Sequence, residues 1–319
     1  MSLLDAVAAR LADLRLRPKR NTPLSRRGWW RLGGPADLYV ELPSPDALAA
    51  TLALAHEHSL PITVLGNGSN LLVADAGVRG IVVKLTGDFR TSTLQDGPQG
   101  PEVVAGGGLY DAVLLKRLDD AGVSGLGCLA GVPGTVGGAV RMNAGTHLGE
   151  LGDRVREVEV ALPDGTLARL TPADIRFSYR RAHLPAGAIV TRAWLRIETD
   201  PTTVASDREK VRHHLDRRKA TQPLDQPSCG STFKNPTGDA AGRLIDISGL
   251  KGHRIGGAQI SEKHANFIVN TGGATAMNVY DLICLARRTV HDQHGVALEP
   301  EVHAIGDWPE GSWPLHSLS

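Results

Sequence analysis

Three separated segments of this chain carry residue types that can hold or transform a charged ligand. In Leu65-Gly66-Asn67-Gly68-Ser69-Asn70 an apolar run gives way to glycines, which let the backbone turn sharply. Amides exposed by such a turn form a nest for phosphate oxygens, and the Asn and Ser side chains add hydrogen-bonding groups. An ordinary strand-to-strand loop would read the same way. The second segment runs from Ala130 to Gly145 and contains Gly131-Val132-Pro133-Gly134-Thr135-Val136-Gly137-Gly138. A pyrophosphate lying on the start of a short helix would justify so many glycines; a structural turn is the alternative. Gly125-x-Gly127-x-x-Ala130 formally matches the dinucleotide fingerprint. It follows a helix and not a strand, with no βαβ unit around it, so a Rossmann reading is rejected.

The third segment is Gly230-Ser231-Thr232-Phe233-Lys234-Asn235-Pro236. Its serine could act as a nucleophile or proton donor, although a hydroxyl needs nearby cations or a water chain to give up a proton at neutral pH. A plain turn serine is the simpler reading, and the absence of GxSxG removes a hydrolase elbow. Phe177-Ser178-Tyr179-Arg180-Arg181 sets a guanidinium fork among aromatic residues, suited to a carboxylate or phosphate. Leu298-Glu299-Pro300-Glu301-Val302 places a carboxylate at the entry to a strand. Lys251, Lys263 and His264 lie in polar, glycine-rich surroundings and could meet a diphosphate, or simply be solvated. His213-His214 is expected on a solvated helix face, no histidine spacing suggests a metal, and no metal site is expected.

These residues must be positioned by a mixture of helices and strands. Ser2 to Asp5 reads as a capping box opening a helix to about Leu14, and Ser44-Pro45 starts a second one with Leu48, Leu52 and Leu54. Ile62–Leu65 and Ile81–Val83 are predicted as buried strands around the first glycine loop, followed by a strand at Val103-Val104 and a helix from Tyr110 to Ala121. From Val155 the pattern becomes antiparallel, turning at Pro163-Asp164-Gly165 and returning through Leu167–Leu170, with another strand over Ile189–Ile197. A charged helix containing RHHLDRRK then links to a unit spanning Gln222 to Glu299, whose strongest helix is Ala276–His291. The class is α+β.

Composition narrows the function. The 319 residues are 41% hydrophobic and 22% charged, as in a globular protein with a core. A net charge of +1, from 35 basic and 34 acidic residues, lacks the basic field of a nucleic-acid binder. No signal peptide and no apolar run long enough to span a membrane are read. Cys128, Cys229 and Cys284 are far apart and odd in number, so a reducing, cytoplasmic compartment is expected.

Taken in chain order, Gly33-Gly34-Pro35-Ala36-Asp37, LGNGSNLLV, LAGVPGTVGGAVRMNAG, FSYR, PSCGSTFKNP, AGRLID with GLKG, SEKHANFIVN and LEPEV closely resemble one family, from about Asn21 to Gly306. It is the UDP-N-acetylenolpyruvoylglucosamine reductase family, in the form lacking an extra tyrosine-bearing loop. The resemblance implies a two-lobed p-cresol-methylhydroxylase-type FAD-binding domain plus a C-terminal α+β substrate-binding domain. The expected bounds are 1–85 for the first lobe, with 302–319 returning to it, 86–200 for the second, and 201–301 for the substrate domain. It further implies NADPH-dependent reduction of a UDP-sugar enolpyruvyl ether through non-covalent FAD, in peptidoglycan precursor synthesis and so in cell-wall growth, shape and division. A cytoplasmic monomer with a small-molecule substrate is expected.

By position, the resemblance assigns flavin binding to Gly66, Asn67, Gly68, Ser69, Asn70, Gly131, Val132, Pro133, Gly134, Thr135, Gly137 and Gly138. It assigns catalysis to Arg180, Ser231 and Glu301, and substrate contacts to Tyr179, Lys234, Asn235, Lys251, Lys263 and His264. A flavin oxidase of the same fold would often tether FAD through a histidine in the phosphate loops, and neither loop contains one. Gly28-Trp29-Trp30-Arg31 stands where the family usually has Thr-Thr-Phe-Arg, and His303 replaces a common Arg.

Overall fold

Local signals set the helices where the sequence places them. In the computed structural model, which describes residues 2–312, the Ser2 hydroxyl accepts from the Asp5 amide and the Asp5 carboxylate accepts from the Ser2 backbone. This capping box opens the helix Leu3–Asp13. The Ser44 hydroxyl caps Pro45–Glu57 by accepting from the Ala47 amide, with Pro45 at the first helical position. The last residues of the expected 302–319 return segment, from 313 onward, lie outside the described residues.

The chain divides into two compact units. The first holds residues 1–20, 38–67 and 80–217, and the second holds 21–37, 68–79 and 218–319. The first unit contains a five-stranded sheet, ordered Leu167–Leu170, Val155–Ala161, Ile189–Arg196, Gly100–Gly106 and Ser92–Gly97. Its ladders are antiparallel, with Val158 opposite Ala193 and Trp194 opposite Val104. The inward residues Val103, Ala105, Val158, Val160, Ala193 and Leu195 join Leu114, Leu118 and Val140 in one core. The short helix Val136–Arg141 lies directly on this sheet. A Cβ on Gly137 would stand 2.9 Å from the Gly107 carbonyl oxygen, so part of the glycine excess serves helix-on-sheet packing.

A second core of the first unit packs Val7, Leu11, Leu48, Leu52 and Phe89 against Leu38, Val40, Ile81 and Val83. Here the expectation of two buried strands is half corrected. Val78–Leu85 is buried, whereas Ile62–Val64 runs parallel to it at a sheet edge and leaves Val64 39% exposed. Three residues of apolar run cannot distinguish an edge strand from a central one. The strand Pro35–Leu42 was not foreseen.

The second unit is built on the helix Ala276–His294, capped by Thr275 and closed by Gly295 in the left-handed region. Its apolar face, Val279, Ile283, Ala286 and Val290, is buried against Trp30, Leu72, Phe233, Leu244 and Ile268. An antiparallel sheet of Arg254–Ile255, Ala258–Ile260 and Ile268–Asn270 covers that face. Trp30 Nε1 donates to the Ile268 carbonyl oxygen at 2.7 Å. His303–Ile305 pairs in parallel with Leu71–Val73. The charged helix forms over Pro201–Thr221, and His214 within it is buried, contrary to the solvated reading. It stacks on His147, with ring centroids 4.7 Å apart, and its Nε2 lies 3.2 Å from the Ala130 carbonyl oxygen.

Truncating Ile283, which is fully buried, to Ala should destabilise the second unit by about 2–5 kcal/mol. Urea unfolding checks this, and a loss below about 1 kcal/mol would show that this helix face does not anchor the unit.

Candidate functional site

Gly66 and Asn67, the start of the first glycine loop, meet the second loop within the first unit. Asn67 Nδ2 donates to the Pro133 carbonyl oxygen at 2.5 Å, and a Cβ on Gly66 would stand 2.8 Å from Thr135 Oγ1. Leu65, just before the loop, is locked by its amide to the Val83 carbonyl oxygen. Among the described residues, the amides of Gly66, Asn67, Gly68, Ser69 and Asn70 donate to no protein acceptor. That is the donor set a phosphate nest requires. The amides of Gly131 and Thr135 are likewise without a protein acceptor, whereas that of Val132 donates to Leu129 and Pro133 has none.

The helix Val136–Arg141 does not offer its own N-terminus. The Val136 amide donates to the Leu109 carbonyl, Gly137 to Gly107, and Gly138 to Thr135 Oγ1. A pyrophosphate on the helix start would find these three amides already engaged. The amides that remain open lie in the preceding loop, because the helix docks end-on against backbone carbonyls.

Beneath this loop sits Asp111, a residue that sequence reasoning did not single out. It is fully buried at the first turn of the helix Asp111–Asp120, and its amide donates to the Gly134 carbonyl oxygen. Neither carboxyl oxygen finds a hydrogen-bond partner among the described residues. A Cβ on Gly134 would come within 2.4 Å of Oδ2 and 3.6 Å of Cγ, so the carboxyl points one oxygen at the loop. Burial pushes its pKa up to about 8; the facing Gly134 amide pulls the other way but falls short of hydrogen-bond geometry.

Tyr179 and Arg180 form the tip of a tight turn closed by reciprocal Ser178–Arg181 backbone bonds. Arg180 has φ +57°, a strained value for a side chain of this size. Its Nη2 donates to the Gly145 carbonyl at 2.9 Å, its Nη1 lies 3.7 Å from Glu150, and its guanidinium stacks 4.8 Å over the Tyr179 ring. Asn143, buried and also at positive φ, braces this turn. It donates to Glu150 Oε2 and the Ser178 carbonyl and accepts from the Gly152 amide. It sits in the MNAG string, where its own role was not read.

In the second unit the Ser231 and Glu301 segments lie side by side. The Glu301 amide donates to the Thr232 carbonyl at 2.8 Å, and the Lys234 amide to the Glu299 carbonyl at 2.9 Å. Asn266 bonds both backbone groups of Phe233 through its side chain and accepts the Thr232 amide on its own carbonyl. The end of the first glycine loop, which belongs to this unit, joins them, since Asn70 Nδ2 donates to the Glu301 carbonyl at 3.0 Å. Cys229 is buried, its thiol pushed up to about 12 by that burial, and directed at the Leu71 and Gly68 carbonyl oxygens. Ser231 is half-buried, and its hydroxyl makes no hydrogen bond among the described residues. It is free to serve a ligand.

The other expected substrate residues are also in the second unit. Lys234 pairs with Glu299 at 2.6 Å, and Asn235 Oδ1 caps the helix Ala241–Ile247 through the Ala241 amide. Lys251 pairs with Asp246, and Lys263 donates to the Lys219 carbonyl. Burial, with Lys251 nearby, holds the His264 imidazole below its ordinary range. Neutral near pH 7, that ring accepts the Asn266 amide at Nδ1.

Comparison with known proteins accounts for both units. A family model described as an FAD binding domain matches residues 36–171. One described as the UDP-N-acetylenolpyruvoylglucosamine reductase C-terminal domain matches residues 222–305. Among curated relatives, UDP-N-acetylenolpyruvoylglucosamine reductase of Anaeromyxobacter sp. (strain Fw109-5) is 48% identical over 91% of this chain and 89% of its own length. That of Moorella thermoacetica is 46% identical over 95% and 99%. The crystal structure of the Thermus caldophilus reductase superposes with a TM-score of 0.75 at 39% identity, covering 91% of this chain and 99% of that one. The α+β architecture of an FAD-binding portion followed by a C-terminal domain is the one expected, and the chain belongs to the UDP-N-acetylenolpyruvoylglucosamine reductase family.

Proposed function

We propose that this protein reduces the enolpyruvyl double bond of UDP-N-acetylglucosamine enolpyruvate, giving UDP-N-acetylmuramate for peptidoglycan precursor synthesis, as a cytoplasmic monomer using NADPH and non-covalent FAD. In a chain of this family, the observation that carries the reading is the backbone pairing that brings the segment bearing Ser231 alongside the segment bearing Glu301, with Glu301 opposite Thr232. The chain also fits FAD by its own donors. Within the first unit, the open amides of residues 66, 67, 131 and 135 suit a diphosphate, and they belong to loops tied by the Asn67–Pro133 bond. When bound, reduced FAD supplies a hydride, which it obtains from NADPH.

The protein's own residues then manage charge and a proton. Hydride addition to the terminal carbon leaves negative charge spread over the adjoining carbon and the substrate carboxylate. Arg180, with its guanidinium oriented by Gly145, Glu150 and Tyr179, stabilises that charge where it develops. Glu301, protonated or hydrogen-bonded, assists. Ser231, whose hydroxyl has no competing protein partner among the described residues, delivers the proton to the adjoining carbon and so completes the reduction. Lys234, Asn235, Tyr179, Lys251, Lys263 and His264 are assigned to substrate binding.

The test is anaerobic. NADPH should bleach the flavin of the wild-type protein, and adding the enolpyruvyl substrate should restore its absorbance; a flavin that reduces but ignores this substrate would reject the assignment. Ser231→Ala should slow the second half-reaction by about 10²–10⁴-fold while leaving reduction by NADPH intact. Equal loss in both halves would remove Ser231 as the proton donor. Arg180→Met should cost roughly 10²–10³-fold in the same half-reaction. Arg180→Lys should recover little of this, because an ammonium lacks the planar fork; full recovery by Lys would mean that only a point charge is needed.

A further inference from the structure

Two cations of the first unit are not used by the mechanism above. Lys84 Nζ lies 5.6 Å, and the Arg90 guanidinium carbon 5.2 Å, from the centre of the Tyr110 ring. Both residues are half-buried, and among the described residues neither side chain makes an ion pair or a hydrogen bond. Asp88, on the same short turn as Arg90, is exposed and pairs with neither. Like charges drawn to one ring repel each other, and partial burial weakens the screening that water would give. Such a pair gains from an anion nearby.

The backbone carries this cluster to the glycine loops, all within the first unit. Val83 pairs in parallel with Val64 and its carbonyl accepts from the Leu65 amide, so Lys84 runs alongside the residue that opens the first loop. Ile81, Val83 and Leu85 enter the core shared with Leu48 and Leu52; alternation along the strand turns Lys84 to the other face. Tyr110 stands opposite Thr135 in an antiparallel bridge, made by the Asp111 amide to the Gly134 carbonyl and the Val136 amide to the Leu109 carbonyl. Residues paired in this way hold their side chains close together on one face. The Thr135 hydroxyl meets Gly66, whose Cβ would stand 2.8 Å from it. Tyr110 is thus seated where the two loops meet, beside the open amides of residues 66, 67, 131 and 135.

Those amides present dipoles and no net charge, and neither LGNGSN nor GVPGTVGG contains a Lys or Arg. The diphosphate of a dinucleotide is a dianion. We propose that Lys84 and Arg90 are the counter-ions of the flavin diphosphate: the loop amides orient the phosphates, and the two cations gathered at the Tyr110 ring neutralise them. The inference rests on the flavin reading of the loops and adds to it the positive charge that the loops lack. Tyr110 is a positioning residue, its ring attracting both cations.

The experiment titrates FAD into the flavin-stripped full chain at about 0.02 M and about 0.5 M salt, where charges are weakly and strongly screened. At low salt Lys84→Met and Arg90→Met should each bind FAD at least about tenfold more weakly than wild type. At high salt the deficit should shrink to about threefold or less, because screening removes from wild type the attraction that the variants lack. Lys84→Arg keeps the charge and should stay within about threefold of wild type at both concentrations. Thermal unfolding of each apoprotein separates lost binding from lost folding, and Lys84→Met should melt no lower than wild type, since it relieves a repulsion. Wild-type affinity in Lys84→Met at low salt, or a deficit of the same size at both concentrations, would overturn the inference alone. A wild-type chain that binds FAD at neither concentration would overturn the flavin reading on which it stands.

Discussion

An amide meant to hold an anion must be left without a protein acceptor, yet the loop carrying it must be held still. Burial ordinarily forbids that combination, because unpaired backbone groups are costly. Here the two demands are met by separating the donors from the ties. Residues 66–70 keep their amides open, while the loop is fixed through Asn67 Nδ2 to Pro133, the Gly68 carbonyl to Trp29, and Asn70 Nδ2 to Glu301. The second loop follows the same plan, as the following helix spends its terminal amides on Leu109, Gly107 and Thr135 and so pins the segment before it.

The same economy recurs around the residues assigned to catalysis. Asparagine side chains stand in for backbone partners wherever a segment must run irregularly. Asn143 braces the Arg180 turn, Asn266 pairs with both backbone groups of Phe233, and Asn235 caps a helix. A primary amide can donate and accept at once, so one side chain satisfies a stretch that no strand could pair. The Ser231 and Glu301 segments are thus held by backbone bonds of their neighbours Thr232 and Phe233.

Much of this was legible in the sequence, for identifiable reasons. Capping boxes, a proline at a helix start and a four-residue apolar face are local, and the helices beginning at Leu3, Pro45 and Ala276 formed as expected. Order and spacing of short strings marked the family before any geometry was known. What escaped depends on contacts distant in the chain. The edge position of Ile62–Val64 is fixed by which strand lies beyond it, and the burial of His214 by His147 and Ala130, 67 and 84 residues away. Asp111 reads as an ordinary helix-opening aspartate; only the packing of Gly134 over its carboxyl makes it unusual.

Cys229 carries one more consequence. Two residues before the serine assigned as proton donor, its thiol is fully enclosed and titrates near 12. At neutral pH it is therefore held as the thiol and not the thiolate. Peroxides and thiol-reactive electrophiles attack the latter form, so the segment most exposed to loss of function is the one they reach least. Cys284, on the core helix and only partly covered, offers such reagents an easier target, leaving the serine loop chemically quiet while a reporter is attached elsewhere.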